Sequence, residues 1–153
     1  MCDGITHLYT QEHWQVSFIN DPQRFFHALP IVAPFGTVIL FDGNRPAREF
    51  RQFLGEYAPK KRIEYLTHNK VWTEQIQFTE SFAKDFEEFQ FNNHKKARFD
   101  HLAGFSVSKR MLFWFHDAFS GGELAIARSV SKARLQHFCL ELGPHYLRQK
   151  PIC

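Results

Sequence analysis

The sequence predicts an α/β to α+β fold, a single globular domain over residues 1–153. A mixed sheet of about six to seven strands is expected to carry about four helices. Short stretches with period-two alternation recur between stretches whose apolar residues fall three and four apart, the spacings of strand and helix. Turn chemistry separates them: Asp21-Pro22, Asp42-Gly43-Asn44, Gly121-Gly122 and Gly143-Pro144. At 153 residues the chain is long enough to bury most of the surface its unfolded form exposes. Its 18 phenylalanines supply apolar volume for a core, or the lining of an aromatic pocket.

Taken in order, residues 1–10 read as a loosely held tail. Trp14, Val16 and Phe18 alternate with polar neighbours and make a first strand. Asp21-Pro22 opens a helix, because Asp accepts from free amides and Pro suits the first helical position. Phe25, Phe26 and Leu29 give it a buried face. Thr37–Phe41 is a buried strand, Pro46 starts a helix with Ala47, Phe50, Leu54 and Tyr57 on one side, and Arg62–Leu66 follows as a strand. Strand, helix and strand with short loops imply a right-handed crossover and a parallel pair. Val71–Phe78 reads as a strand, and Thr79 caps a helix carrying Phe82, Phe86 and Phe89. Asn92–Lys96 is a loop and Leu102–Ser108 a short strand. Leu135, Phe138, Cys139 and Leu142 define the last helix, which Gly143-Pro144 stops. Residues 146–153 are expected to be a frayed tail.

The densest aromatic run, Met111 to Phe119, reads as an inner strand. Met111, Phe113, Phe115, Asp117 and Phe119 face one side, and Leu112, Trp114, His116 and Ala118 the other. A hairpin closing at Gly121-Gly122 then sets large residues against small ones on one face and brings Trp114 near Arg128 on the other. A competing reading makes 121–142 one helix, since Ser120-x-x-Glu123 is a capping-box pattern. The hairpin is preferred, because Ser129-Val130-Ser131 is poor helix material and Ser131 caps a shorter helix.

The formal charge of +3 is too small to imply a nucleic-acid partner. The short basic clusters Lys60-Lys61-Arg62, Lys95-Lys96 with Arg98, and Lys109-Arg110 read as solvated turns. Cys2, Cys139 and Cys153 have no C-x-x-C spacing and imply a reduced, cytoplasmic chain with one buried thiol. No basic-then-apolar leader opens the sequence. The longest apolar run, Ile31–Phe41, is broken by Pro34 and Gly36, which argues against a membrane span.

Phe119-Ser-Gly-Gly-Glu with Ala-Ile-Ala-Arg resembles the signature segment of ABC-type ATPases over under a tenth of the chain. The residues that separate those two elements in that family are missing, and so is a G-x-x-x-x-G-K-[ST] loop, so the resemblance implies no function here. Gly104-Phe-Ser106-Val-Ser108 is a nucleophile elbow lacking its last Gly and its following helix. Ser106, Asp117 and His137 run in hydrolase order. Nine histidines show no H-E-x-x-H, no i,i+4 pair and no Cys-His cluster, so neither a metal nor a cofactor is expected.

Two places remain as candidate sites. His116 and Asp117, set in an apolar strand, are candidate catalytic residues; as neighbours on a strand they point to opposite faces and each needs its own partner. Asp42, Asn44 and Arg45, at the carboxyl end of a strand and the start of a helix, suit an anionic ligand, with Trp114 and Arg128 assisting. The leading expectation is a binding or interaction module, comparable to small antitoxin or immunity-type proteins in size and texture only. The alternative is a small enzyme using an acid–base histidine in an aromatic-lined cleft, and the third a weak nucleic-acid binder. The partner is therefore a protein or a small anionic ligand.

Overall fold

The computed structural model describes residues 12–17, 19–43, 46–63, 72–93, 98–143 and 151–152. Seven strands form one sheet: β1 (His13–Ser17), β2 (Val38–Gly43), β3 (Trp72–Gln77), β4 (His101–Phe105), β5 (Met111–Phe115), β6 (Glu123–Ala127) and β7 (Pro151–Ile152). Their order across it is β3-β2-β4-β5-β6-β1-β7. Among the described residues four α-helices accompany them: α1 (Pro22–Ala28), α2 (Arg48–Gly55), α3 (Glu80–Asn93) and α4 (Lys132–Leu142).

The helices start where side chains satisfy their free amides. Asp21 Oδ1 accepts from the Arg24 amide at 3.1 Å, Thr79 Oγ1 from Phe82 at 3.0 Å and Ser131 Oγ from Arg134 at 3.2 Å. At the other end of α4, Arg24 Nη1 donates to the Leu142 carbonyl at 3.1 Å, tying α1 to α4. The helices send their apolar faces onto one side of the sheet. Phe25 and Phe26 of α1, Phe50 and Leu54 of α2, Phe82 and Phe86 of α3, and Leu135 and Phe138 of α4 pack there. They meet Val16, Ile39, Phe41, Ile76, Phe113 and Ile126 from the strands. Edge-to-face rings run through this core, Phe25 meeting Phe26 at 5.3 Å and Phe41 meeting Phe50 at 5.9 Å. Each fully buried ring contributes about 1.5–3 kcal/mol by leaving water. The phenylalanine excess is thus largely a core.

The other face holds a smaller cluster, Leu40, Ala103, Phe105, Trp114 and Ala125, with no helix residue in it. Ile63 covers part of it, held by a double hydrogen bond. Its amide donates to Gln75 Oε1 at 2.8 Å, and Gln75 Nε2 donates to its carbonyl at 2.6 Å.

The fold class is as expected, but one connection is not. β2 has β3 and β4 as neighbours, and both pair with it antiparallel, as do all the other described pairs. The expected parallel partner from Arg62–Leu66 fails: Arg62 and Ile63 are not in a strand, and 64–66 lie outside the described residues. The chain instead returns through β3, one strand later. In the tail, Pro151–Ile152 pairs with His13 and Trp14, where fraying was expected. Phe18, the 1–10 tail, most of the Asn92–Lys96 loop, Cys2 and Cys153 lie outside the described residues. Asn92 and Asn93 themselves close α3. None of the described helices is long and apolar enough to cross a membrane.

The central hairpin forms as read, with Phe113 opposite Ile126, Trp114 opposite Ala125 and Phe115 opposite Leu124. The helix 121–142 does not form. Two details differ from strict alternation. A register shift between Gly104 and Phe105 lets Met111 join Phe105 on the second face, while Leu112 and Phe113 both pack on the main core. Arg128 lies 4.0 Å over Trp14, not near Trp114, because Trp114 pairs with Ala125 and Arg128 follows the end of β6 beside β1.

Candidate functional site

β5 ends at Phe115, so His116 and Asp117 belong to a turn and not to the strand interior. Asp117 takes a left-handed conformation, φ 45°, and Phe119 does the same at 65°. Such values are uncommon away from glycine, though Asp tolerates them best. The turn closes on itself: the Ser120 and Gly122 amides donate to the Asp117 carbonyl at 3.0 and 3.3 Å, and the His116 amide donates to the Glu123 carbonyl at 3.1 Å.

The left-handed residue changes what two adjacent side chains can do. Alternation would send them to opposite faces, yet His116 Nε2 lies 3.3 Å from Asp117 Oδ2. The expectation that they cannot pair is therefore corrected. Both are half exposed, 53% each.

A third residue, unnoticed in the sequence, completes the group. His101, the first residue of β4, stacks on His116 with ring centroids 4.7 Å apart and planes 9° from parallel. Trp114 lies beside both imidazoles, its ring centroid 5.3 Å from His101 and 6.4 Å from His116. The Asp117 amide donates to His101 Nδ1 at 3.0 Å, and Asp117 Oδ1 lies 3.8 Å from the same nitrogen. That hydrogen bond fixes His101 with a bare Nδ1 and its proton on Nε2. One donor atom from each of His101, His116 and Asp117 lies within 4.8 Å of the others. The only sequence signal for His101 was its place beside Leu102 at a strand start. Its significance comes from the pairing of β2 with β4.

That pairing sets Asp42 opposite His101, and residues directly opposite on antiparallel strands share a face. Thr73 lies opposite Asp42 on the other side, and Ser17 opposite Glu123 further along. A polar row thus crosses the second face one step beyond Trp114 and its small neighbours. Asp42 is buried, and burial first and the Asp100 carboxylate second push its acid up to about 6. No hydrogen bond to its carboxyl is formed among the described residues. Burial also pushes the His101 imidazole down, helped by His116 and opposed by Asp117 and Asp100. Trp114 Nε1 is buried without a hydrogen-bond partner among the described residues, a state that native interiors rarely tolerate.

Of the other expected site residues, Trp114 is beside the histidine stack, Arg128 is spent on Trp14, and Asn44 and Arg45 lie outside the described residues. Ser106 sits in the β4–β5 hairpin, bonded to Ser108 Oγ at 2.8 Å, and His137 pairs with Glu141 at 3.7 Å. No described contact joins either to Asp117, and an elbow would need a helix after Ser106. Two described grooves lie elsewhere, between α1 and α3. The larger, about 690 Å³, is lined by Asp21, Gln23, Lys84, Glu87 and Phe91 among others, and none of its walls belongs to the histidine group.

Compared with family models, curated proteins and solved structures, the chain matches none of them.

Proposed function

We propose that the protein is a small acid–base enzyme in which His116 transfers the proton and Asp117 orients it. The observation that carries this is the 3.3 Å approach of the imidazole to the carboxylate, made by a left-handed turn at the open end of the aromatic stack. A carboxylate beside one imidazole nitrogen selects the tautomer that leaves the other nitrogen free, and it stabilises the imidazolium formed when that nitrogen takes a proton. Half exposure lets a substrate reach the ring. His101, stacked on it, and Trp114, beside both rings, limit the ring's freedom and give it an aromatic surround. Strained backbone at such a pair fits a functional constraint.

The test is turnover of a panel of small esters, lactones, phosphoesters and enolisable carbonyl compounds by wild type and His116→Gln, both checked for an unchanged melting temperature. Turnover by wild type that is lost in His116→Gln and reduced in Asp117→Asn supports the assignment. Wild-type rates no higher than buffer across the panel, or equal rates in the variant, refute it.

A second reading, a protein-binding module, draws on Phe91, which is 86% exposed on the wall of the groove between α1 and α3. A large aromatic ring left in water beside a concave surface suits a partner's side chain. Loss of a captured partner on Phe91→Ala, with turnover unaffected, would favour it.

A further inference from the structure

The three side chains at the end of the histidine stack form a donor set that acid–base work alone does not require. We infer that His101, His116 and Asp117 bind one divalent transition-metal ion of the zinc, cobalt or nickel class. Two imidazole nitrogens and one carboxylate oxygen suit these borderline ions far better than calcium or magnesium, which take oxygen ligands.

Distances favour capture with small movements. Metal–nitrogen and metal–oxygen bonds of about 2.0–2.2 Å hold neighbouring donors roughly 3–3.5 Å apart. His116 Nε2 and Asp117 Oδ2 already stand at 3.3 Å, and His101 Nδ1 and Asp117 Oδ1 at 3.8 Å. One donor atom from each residue can be chosen so that all three lie within 4.8 Å, so the remaining gap is between the rings. Stacked rings cannot both aim an in-plane lone pair at one point, so one must turn. His116 is the one able to do so: its side chain is half exposed, whereas His101 is 22% exposed and wedged against Trp114. The lone pair of His101 Nδ1 is taken up by the Asp117 amide at 3.0 Å, so the ion binds there only once that amide swings aside, or it takes Nε2 of the same ring.

A second observation points the same way. Asp42, 8% exposed, lies in register beside His101 and adds a buried acid next to the donor set. Ionising a buried carboxyl is costly, and a cation in the adjacent row offsets that cost. Asp100, which precedes His101 and repels Asp42, adds further negative charge.

Binding does not depend on the catalytic reading. It would occupy His116 Nε2, alter its link to Asp117, and so inhibit any reaction that needs the pair.

The experiment is isothermal titration of the full chain with Zn²⁺ and Ni²⁺, paired with two-dimensional NMR of the imidazole nitrogens. Variants are His116→Gln, His101→Gln, Asp117→Asn and the control His137→Gln. Asn keeps the left-handed turn available and His116 is exposed, so these two variants retain the fold. The expected result is one ion per chain, with large shifts at His101 and His116. Affinity should fall at least about tenfold in each site variant, since even outer-shell changes cost metal sites that much. The control should be unchanged. Absence of saturable binding, or binding equal in wild type and the two exposed-site variants, overturns the proposal. Metal binding with no turnover in any metal state would sink the enzymatic reading alone, and turnover without metal binding would sink only this one.

Discussion

The pair Gly121-Gly122 offers the sharpest test of how the turn holds His116 and Asp117. Gly121 has φ 85° and open space where a side chain would go, so Ala there meets backbone strain only. That costs about 1–2 kcal/mol. Gly122 is the opposite case. A Cβ on it would lie 1.6 Å from the His116 carbonyl oxygen, where real contacts do not fall below 3.0 Å. Gly122→Ala must therefore move backbone by roughly 1.4 Å, and the turn has little room for that. The Gly122 amide donates to Asp117 at 3.3 Å and the neighbouring Glu123 carbonyl accepts from His116 at 3.1 Å. Overpacking of about 1–3 kcal/mol, with one or two hydrogen bonds worth about 1 kcal/mol each, puts the loss near 3–4 kcal/mol. At this chain length that is about 6–16 °C in melting temperature, against about 2–8 °C for Gly121→Ala. Urea denaturation and thermal melting of both variants give the comparison. A Gly122→Ala protein as stable as Gly121→Ala would show that the turn is not built as described.

Four further outcomes follow from the same contacts. Phe115→Ala should cost about 3–5 kcal/mol by denaturant titration, because its ring is fully buried against Phe25 and Phe119 at 5.2 and 5.1 Å. Asp42 is an acid whose folded pKa is raised from 3.8 to about 6, so the native state binds the extra proton between those values and stability falls as pH rises through that window. Asp42→Asn should match wild type near pH 4 and exceed it at pH 8, by at most about 3 kcal/mol. Cys139, 2% exposed and with its thiol pushed up to about 11 by burial, should react with a thiol reagent at pH 7.5 only as fast as the chain opens. Arg128→Ala should lose about 0.5–1 kcal/mol with its stacking on Trp14, seen as a small shift in urea midpoint.

Local signals were legible where the chemistry was local. Asp21, Thr79 and Ser131 cap the helices they were expected to cap. The phenylalanines at helical spacing, Phe82 and Phe86, are buried as their spacing required. The hairpin at the glycines won over a long helix because the poor helix formers Ser129 and Val130 sit between two elements that each bury their own apolar face. The parallel pair was misread because a strand-helix-strand pattern does not say which later strand returns to the sheet. Here an intervening stretch separates Ile63 from β3, and β3 returns antiparallel. The candidate site was half legible. His116, Asp117 and Asp42 stood out as ionisable groups beside apolar runs. Alternation then misled, since it gave Asp117 the strand geometry that its left-handed backbone abandons. His101 was invisible for a different reason: its role comes from lying opposite Asp42 and under His116, both of which are long-range facts.

The position of this group follows from the asymmetry of the sheet. The described helices pack on one face, so that face is a dry phenylalanine core. The other carries Leu40, Phe105 and the small residues Ala103 and Ala125 around the indole ring of Trp114. Groups one step beyond that ring are neither fully solvated nor fully enclosed, and partial desolvation acts on acid and base in opposite directions. Burial raises Asp42 from 3.8 to about 6 and lowers His101 below its usual 6.5, so it favours the neutral form of both groups. Next to them the turn at Asp117 holds out an exposed imidazole and carboxylate. No described helix covers this face, and the group meets solvent through the half-exposed His116 and Asp117.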